Sequence, residues 1–149
     1  SNTLIFESDD RVLSFNDKVT KVEYFEDKFI FSTKNGWIYL FEDVNGILKY
    51  LNRILAHNSE IITLFYDPEL NRLISTALNG TISINDISAE IKNPRIDIDL
   101  GANNIITGIE GYKINNKEYI VMTDNKGNLS HWGMSVEDKF NYITAITKD

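Results

Sequence analysis

The sequence has no cysteine, two prolines, two histidines and two tryptophans in 149 residues. The lack of cysteine excludes disulfides, thiolate catalysis and cysteine-based zinc sites together. It points to a reducing compartment, the cytoplasm, with the nucleus left open. The sequons Asn79-Gly80-Thr81 and Asn128-Leu129-Ser130 fall in expected hairpin turns, where Asn serves the turn. No apolar run approaches the roughly 20 residues that cross a bilayer, so no transmembrane segment is expected. SNTLIFESDD has neither a basic region nor a long apolar stretch and is not expected to be a signal peptide. Positive charge is also scarce. Lys and Arg number 15 against 22 Asp and Glu, for a formal charge of −7, and the basic residues are isolated. Binding through nucleic-acid phosphates needs many basic residues on one face, so no direct nucleic-acid partner is expected.

What the chain does have is one block written three times: Val19–Phe41, Ile62–Asn85 and Ile106–Trp132. Thr20, Thr63 and Thr107 align at intervals of 43 and 44 residues, and Gly36, Gly80 and Gly127 at intervals of 44 and 47. That period, with four strands per unit, is the signature of a propeller blade. With strands named a to d outward from the axis, alternation and turn chemistry divide each repeat. The first gives Thr20–Phe25, Lys28–Thr33, Trp37–Phe41 and Leu48–Leu55. The second gives Ile61–Tyr66, Arg72–Thr76, Thr81–Asp86 and Arg95–Leu100. The third gives Ile105–Glu110, Glu118–Thr123, Leu129–Trp132 and Tyr142–Thr147. Asn35-Gly36, Asn79-Gly80 and Lys126-Gly127 form the b–c turns, and Asn79-Gly80 is read as a two-residue hairpin with positive φ values. Asp67-Pro68-Glu69-Leu70-Asn71 reads as an a–b turn, and Lys92-Asn93-Pro94 as a polar connection. Near-continuous apolar strands such as FIFST and WIYLF suit sheets covered on both faces. Thr3–Phe6 matches strand c and Val12–Phe15 stands where strand d belongs, so the chain opens with a half blade. The fold class expected is all-β: a partial β-propeller of four-stranded antiparallel blades. One incomplete arc over residues 1–149 holds a half blade at 3–15 and full blades at 19–55, 61–100 and 105–147.

The second repeat resembles a WD repeat. Ala56-His57 precedes strand a, and strand b ends in Ser75-Thr76. The turn is Asn79-Gly80-Thr81, and Asn85-Asp86 closes strand c where the family has Trp-Asp. Phe41-Glu42 and Trp132-Gly133 stand at that place in the other two repeats. The resemblance to the WD-repeat propellers covers essentially the whole chain. It implies a cytosolic, non-enzymatic scaffold in a large assembly, and it makes His57 a bracing residue. In the family, His, Ser/Thr, Asp and Trp form one polar network, and no repeat here has all four. Two signatures of subfamilies are missing. There is no paired arginine of the phosphoinositide-binding kind. Val44, Ser88 and Ser135, rather than Arg, stand two residues after Glu42, Asp86 and Gly133, the places of the family's strand-c Asp.

Candidates for chemistry are few. His57 is read as a brace, with catalysis as the alternative, and His131 as a packing residue beside Trp132. The two do not make a metal site. Asp9-Asp10 reads as a solvated turn rather than a catalytic pair. Trp37, Tyr39 and Phe41 share one face of strand c, either as interblade packing or as a stacking platform. No phosphate loop or nucleophile elbow is present. No catalytic residue, cofactor or metal is expected. Recognition then falls to loops. The d–a and b–c loops share one rim and offer Asp17, Asn58, Glu60 and Asn103 from d–a, and Lys34, Leu78 and Lys126 from b–c. Leu78 is either a partly covered turn residue or an apolar anchor in a polar ring. The expected function is a non-catalytic protein–protein interaction scaffold within a larger protein or complex, with protein partners or missing blades to complete it. The alternative is a half-propeller subunit completed by another chain or by self-association. An enzyme is the last reading.

Overall fold

The computed structural model describes residues 6–9, 12–68, 71–87, 91–134 and 142–148. A two-stranded sheet pairs β1 (Phe6–Asp9) with β2 (Val12–Phe15). Three four-stranded antiparallel sheets follow. The first is β3 (Val19–Phe25), β4 (Lys28–Thr33), β5 (Trp37–Val44) and β6 (Ile47–Leu55). The second is β7 (Ile61–Asp67), β8 (Arg72–Ala77), β9 (Thr81–Ile87) and β10 (Ile91–Asp99). The third is β11 (Ile106–Ile114), β12 (Lys117–Asp124), β13 (Asn128–Met134) and β14 (Tyr142–Lys148). Each is a meander of consecutive strands. The chain is all-β, a partial β-propeller.

Packing between sheets explains the apolar runs. Ile30, Ile38 and Leu40 of the first sheet meet Ile61, Leu64 and Leu73 of the second. Ile74, Ile82 and Ile84 of the second sheet meet Ile106, Ile120 and Met122 of the third. β8 is buried along its whole length because a sheet lies on each side of it. Burial of one such side chain is worth about 1.5–3 kcal/mol, so these two layers carry most of the cohesion. Phe15 of β2 lies 6.0 Å from each of the rings of Phe31, Tyr39 and Phe41, which joins the small sheet to the first large one. The inner strands β3, β7 and β11 lie side by side, with β7 in the middle.

Several local expectations are corrected. Asp9 belongs to β1, opposite Val12, and not to a turn; Asp10 and the Thr3–Ile5 part of the expected strand lie outside the described residues. Glu69, Leu70, Ser88 and Ser135 lie outside them too. The Lys92-Asn93-Pro94 connection is part of β10, whose pairing with β9 shifts register between Lys92 and Arg95. Proline lacks the N–H that a ladder needs, and an outer strand accommodates it at such a bulge. The Asn79-Gly80 turn also differs. Gly80 alone has a positive φ, and its N–H bonds to Ala77 O at 3.0 Å. The same tight turn closed by a left-handed glycine occurs at Gly36 and Gly127. A two-residue turn with both residues at positive φ is found instead at Asn45-Gly46, between β5 and β6.

Candidate functional site

The rim is built by one bond made in each large sheet. The first residue of the b–c turn donates its N–H to the last residue of the d–a loop: Lys34 to Lys18 O at 2.8 Å, Leu78 to Glu60 O at 2.9 Å and Asn125 to Ile105 O at 2.9 Å. A second contact joins the first two of these turns to the loop that leaves the same sheet. Ala56 and His57 donate to Gly36 O, and Leu100 donates to Gly80 O. The approach is so close that a Cβ on Gly36 would stand 1.9 Å from His57 O, and one on Gly80 1.9 Å from Gly101 O. Loops that would otherwise be free are thereby held by backbone bonds.

The expected rim residues are brought to this one end. Lys34, Asn58, Asn103 and Lys126 are exposed, Glu60 is half-buried, and Leu78 is 44% exposed. Asp17 differs: it is half-buried and turns Oδ2 inward, where no hydrogen-bonding partner stands among the described residues. Lys126 Nζ donates to Asn104 Oδ1 at 2.9 Å, which ties the third b–c turn to the d–a loop. Asp124 closes that turn, accepting from the N–H groups of Lys126 and Asn128 and from Asn128 Nδ2, each at 2.9 Å. The Asn128 side-chain bond, followed by the Asn128 backbone bond, holds its carboxyl below the ordinary aspartate value.

His57 is 4% exposed, with Nε2 2.8 Å from Ser75 Oγ and Nδ1 2.6 Å from Thr81 Oγ1. Thr81 in turn donates to Asn79 Oδ1 at 2.7 Å. Both ring nitrogens are engaged in linking the d–a loop to strands b and c, which is a bracing geometry. Four residues before its own strand a, as His57 is, stands Phe15 in place of histidine. In the first sheet the brace therefore gives way to the aromatic packing of Phe15 on Phe31.

The other candidates resolve into structure. Tyr39 and Phe41 are buried against Phe15, and Trp37 carries Arg53 at 4.6 Å over its ring. These aromatics pack layers together and do not form an open platform. His131 stacks on Tyr112, lies tilted against Tyr119, and bonds Tyr112 Oη through its Nε2. That cluster draws on three strands and had no local signal. Nor did the buried Asp67–Arg72 pair, 3.0 Å apart, which closes the second a–b turn. The rim at the other end carries apolar residues that loop reasoning passed over: Val44, Ile47 and Ile114 are exposed. Val44 and Ile47 flank Asn45-Gly46, and that pattern was visible in the sequence. Among the described residues, no group of three or more His, Asp or Glu is placed to hold a metal ion. Among the described residues, no helix is long and apolar enough to cross a membrane.

No family model matches the sequence. A stretch of 73 residues, 49% of the chain, is 30% identical to vacuolar protein sorting-associated protein 41 of Schizosaccharomyces pombe (strain 972 / ATCC 24843). That stretch is 8% of the length of the fission-yeast protein. Among solved structures, the computationally designed Ika8 protein matches 81% of this chain with a TM-score of 0.60 and 22% identity, over 35% of its own length. The computationally designed Ika4 protein matches 78% of this chain with a TM-score of 0.58 and 21% identity, over 66% of its own length. The likeness to the designed proteins is one of fold alone.

Proposed function

We propose that this chain is a non-catalytic protein–protein interaction scaffold, a WD-repeat-like propeller segment that presents its d–a and b–c rim to a protein partner. The observation that carries the reading is the clasp made in all three large sheets by Lys34, Leu78 and Asn125. It turns two sets of loops into one braced platform, and rigidly held loops are where scaffolds do their recognition. Leu78 is the apolar anchor, 44% exposed, with polar Asn58, Glu60, Lys34, Asn103 and Lys126 on the same rim. An apolar centre in a polar surround is the usual anatomy of a binding hot spot. His57 is committed to Ser75 and Thr81, which supports a brace over a catalytic base. The short likeness to a vacuolar protein sorting-associated protein supports a role in protein sorting.

Replacing Leu78 by Asp in the full-length protein tests the choice of rim. Leu78→Asp is expected to weaken partner capture without lowering Tm. Normal capture by that variant, together with loss in Ile47→Asp on the opposite rim, would move the site to the other end.

A further inference from the structure

The three inner strands can be matched by their pairing. Each is bulged near its start, and the first pair beyond the bulge is Lys21 with Ser32, Thr63 with Thr76, and Gly108 with Thr123. Counting on from there, Val22, Leu64 and Ile109 share one position, and Tyr24, Tyr66 and Gly111 share another. Both positions face the preceding sheet. In the second sheet Leu64 is 8% exposed, covered by Ile30, Ile38 and Leu40 of the first sheet. Tyr66 stacks on Phe25 with ring centroids 3.7 Å apart. In the third sheet Ile109 packs against Ile74, Ile82 and Ile84, and Gly111 lies under the ring of Phe65.

In the first sheet the same two positions hold Val22, 57% exposed, and Tyr24, 59% exposed. Their residue types suit burial as well as Leu64 and Tyr66 do; what differs is the cover. The layer before them is β1 and β2, which fill the outer two places of a sheet, and Phe15 packs over Phe31, Tyr39 and Phe41. Among the described residues, nothing pairs with the other edge of β1. A free strand edge is a template for a further strand. The uncovered apolar strip and the free edge lie on the same inner side of the half sheet.

We propose that this strip and the edge of β1 are the seat of a two-stranded antiparallel hairpin supplied by polypeptide that precedes β1. One strand pairs with β1, and the second lies inward of it, beside β3. By the pattern of β3 (7 residues) and β4 (6 residues), the hairpin carries an aromatic residue where Phe25 stands and an aliphatic one where Ile30 stands. The source follows from the topology, since every four-stranded sheet here is built from strands consecutive in the chain. In the fission-yeast relative and in the designed Ika8 protein the matched stretch is part of a longer polypeptide. The proposal rests on the propeller-segment reading but not on the choice of rim, which Leu78→Asp tests by itself.

These 149 residues hold no cysteine, so a thiol introduced among them is read on its own peptide. Val22→Cys and Tyr24→Cys are placed singly in the full-length natural polypeptide, with Ile47→Cys, at a position 72% exposed, as the open reference. Alkylation at each site is read by mass spectrometry of its peptide. Both test sites are expected to react at least about tenfold more slowly than the reference, because only opening of the covered seat admits reagent. Deleting the polypeptide before β1 is expected to restore the fast rate. Val22→Cys is nearly isosteric and keeps the test decisive where Tyr24→Cys misfolds. Equal rates at all three sites overturn the proposal, as does a natural polypeptide that begins at β1. Protection that fades on dilution gives the seat to a second copy, and protection that needs a separate protein gives it to that protein; either result overturns the source named here.

Discussion

His57 illustrates how one side chain joins three pieces of chain. Its ring nitrogens engage Ser75 and Thr81, while its backbone N–H reaches Gly36 O. His57→Ala removes both side-chain bonds, takes one partner from Ser75 Oγ and leaves Thr81 with Asn79. The cost of such a buried deletion is about 1–3 kcal/mol. A denaturant-melt midpoint that falls accordingly, with partner binding retained in the folded protein, is the expected result. An unchanged midpoint with binding lost would make His57 a recognition residue instead. The residue type and its place before strand a were legible in the sequence. Asn79, reached through Thr81, was legible as a turn residue, and its bond became visible only in three dimensions.

The b–c turns test how far an element can be read from its own residues. Gly36, Gly80 and Gly127 all have a positive φ, as their shared place in the repeat led one to expect. Their surroundings differ, however. A Cβ on Gly80 would stand 1.9 Å from Gly101 O, while one on Gly127 meets nothing within 4 Å. Gly127→Ala is expected to cost about 1 kcal/mol, from the left-handed backbone alone. Gly80→Ala adds a steric conflict worth about 1–3 kcal/mol more. Equal losses in thermal melts of the two variants would contradict the close approach. The third turn also carries a pH dependence. Bonds from Asn128 lower the folded pKa of Asp124 below its ordinary 3.8, so their stabilisation is complete above that value and is lost as pH falls through the folded one. Amide exchange at Lys126 and Asn128 is expected to show faster opening on acidification below about pH 3.8. Asp124→Asn is expected to flatten that dependence.

At the scale of the whole molecule, layers in the middle are finished and the first layer is not. Leu64 and Ile109 are covered, whereas Val22 and Tyr24 are open. Contiguous exposed apolar surface promotes association. Residues 1–149 on their own are therefore expected to self-associate as concentration rises, which sedimentation velocity reads directly. A monodisperse monomer with one cooperative melt at all concentrations would refute this. Val44, Ile47 and Ile114 at the far rim are also exposed and are the competing route to association. Val22→Lys with Tyr24→Lys separates the two routes: the double variant is expected to lower self-association, while Ile47→Lys is expected to leave it unchanged.

The amino-acid sequence by itself determined the repeat, the four strands of each unit and the glycine turns, because strand alternation and turn geometry depend on residues close along the chain. Only the tertiary structure decided what depends on partners from elsewhere. The aligned threonines are an example: Thr20 and Thr107 occupy the bulges of β3 and β11, but in β7 the bulged residue is Ile62, and Thr63 pairs with Thr76. A bulge shifts pairing by one residue without leaving a mark in composition. The Tyr112–Tyr119–His131 cluster likewise needed the registers of β11, β12 and β13. Val22 and Leu64 look alike as residues; one is open and the other closed because burial is set by the sheet that lies against them.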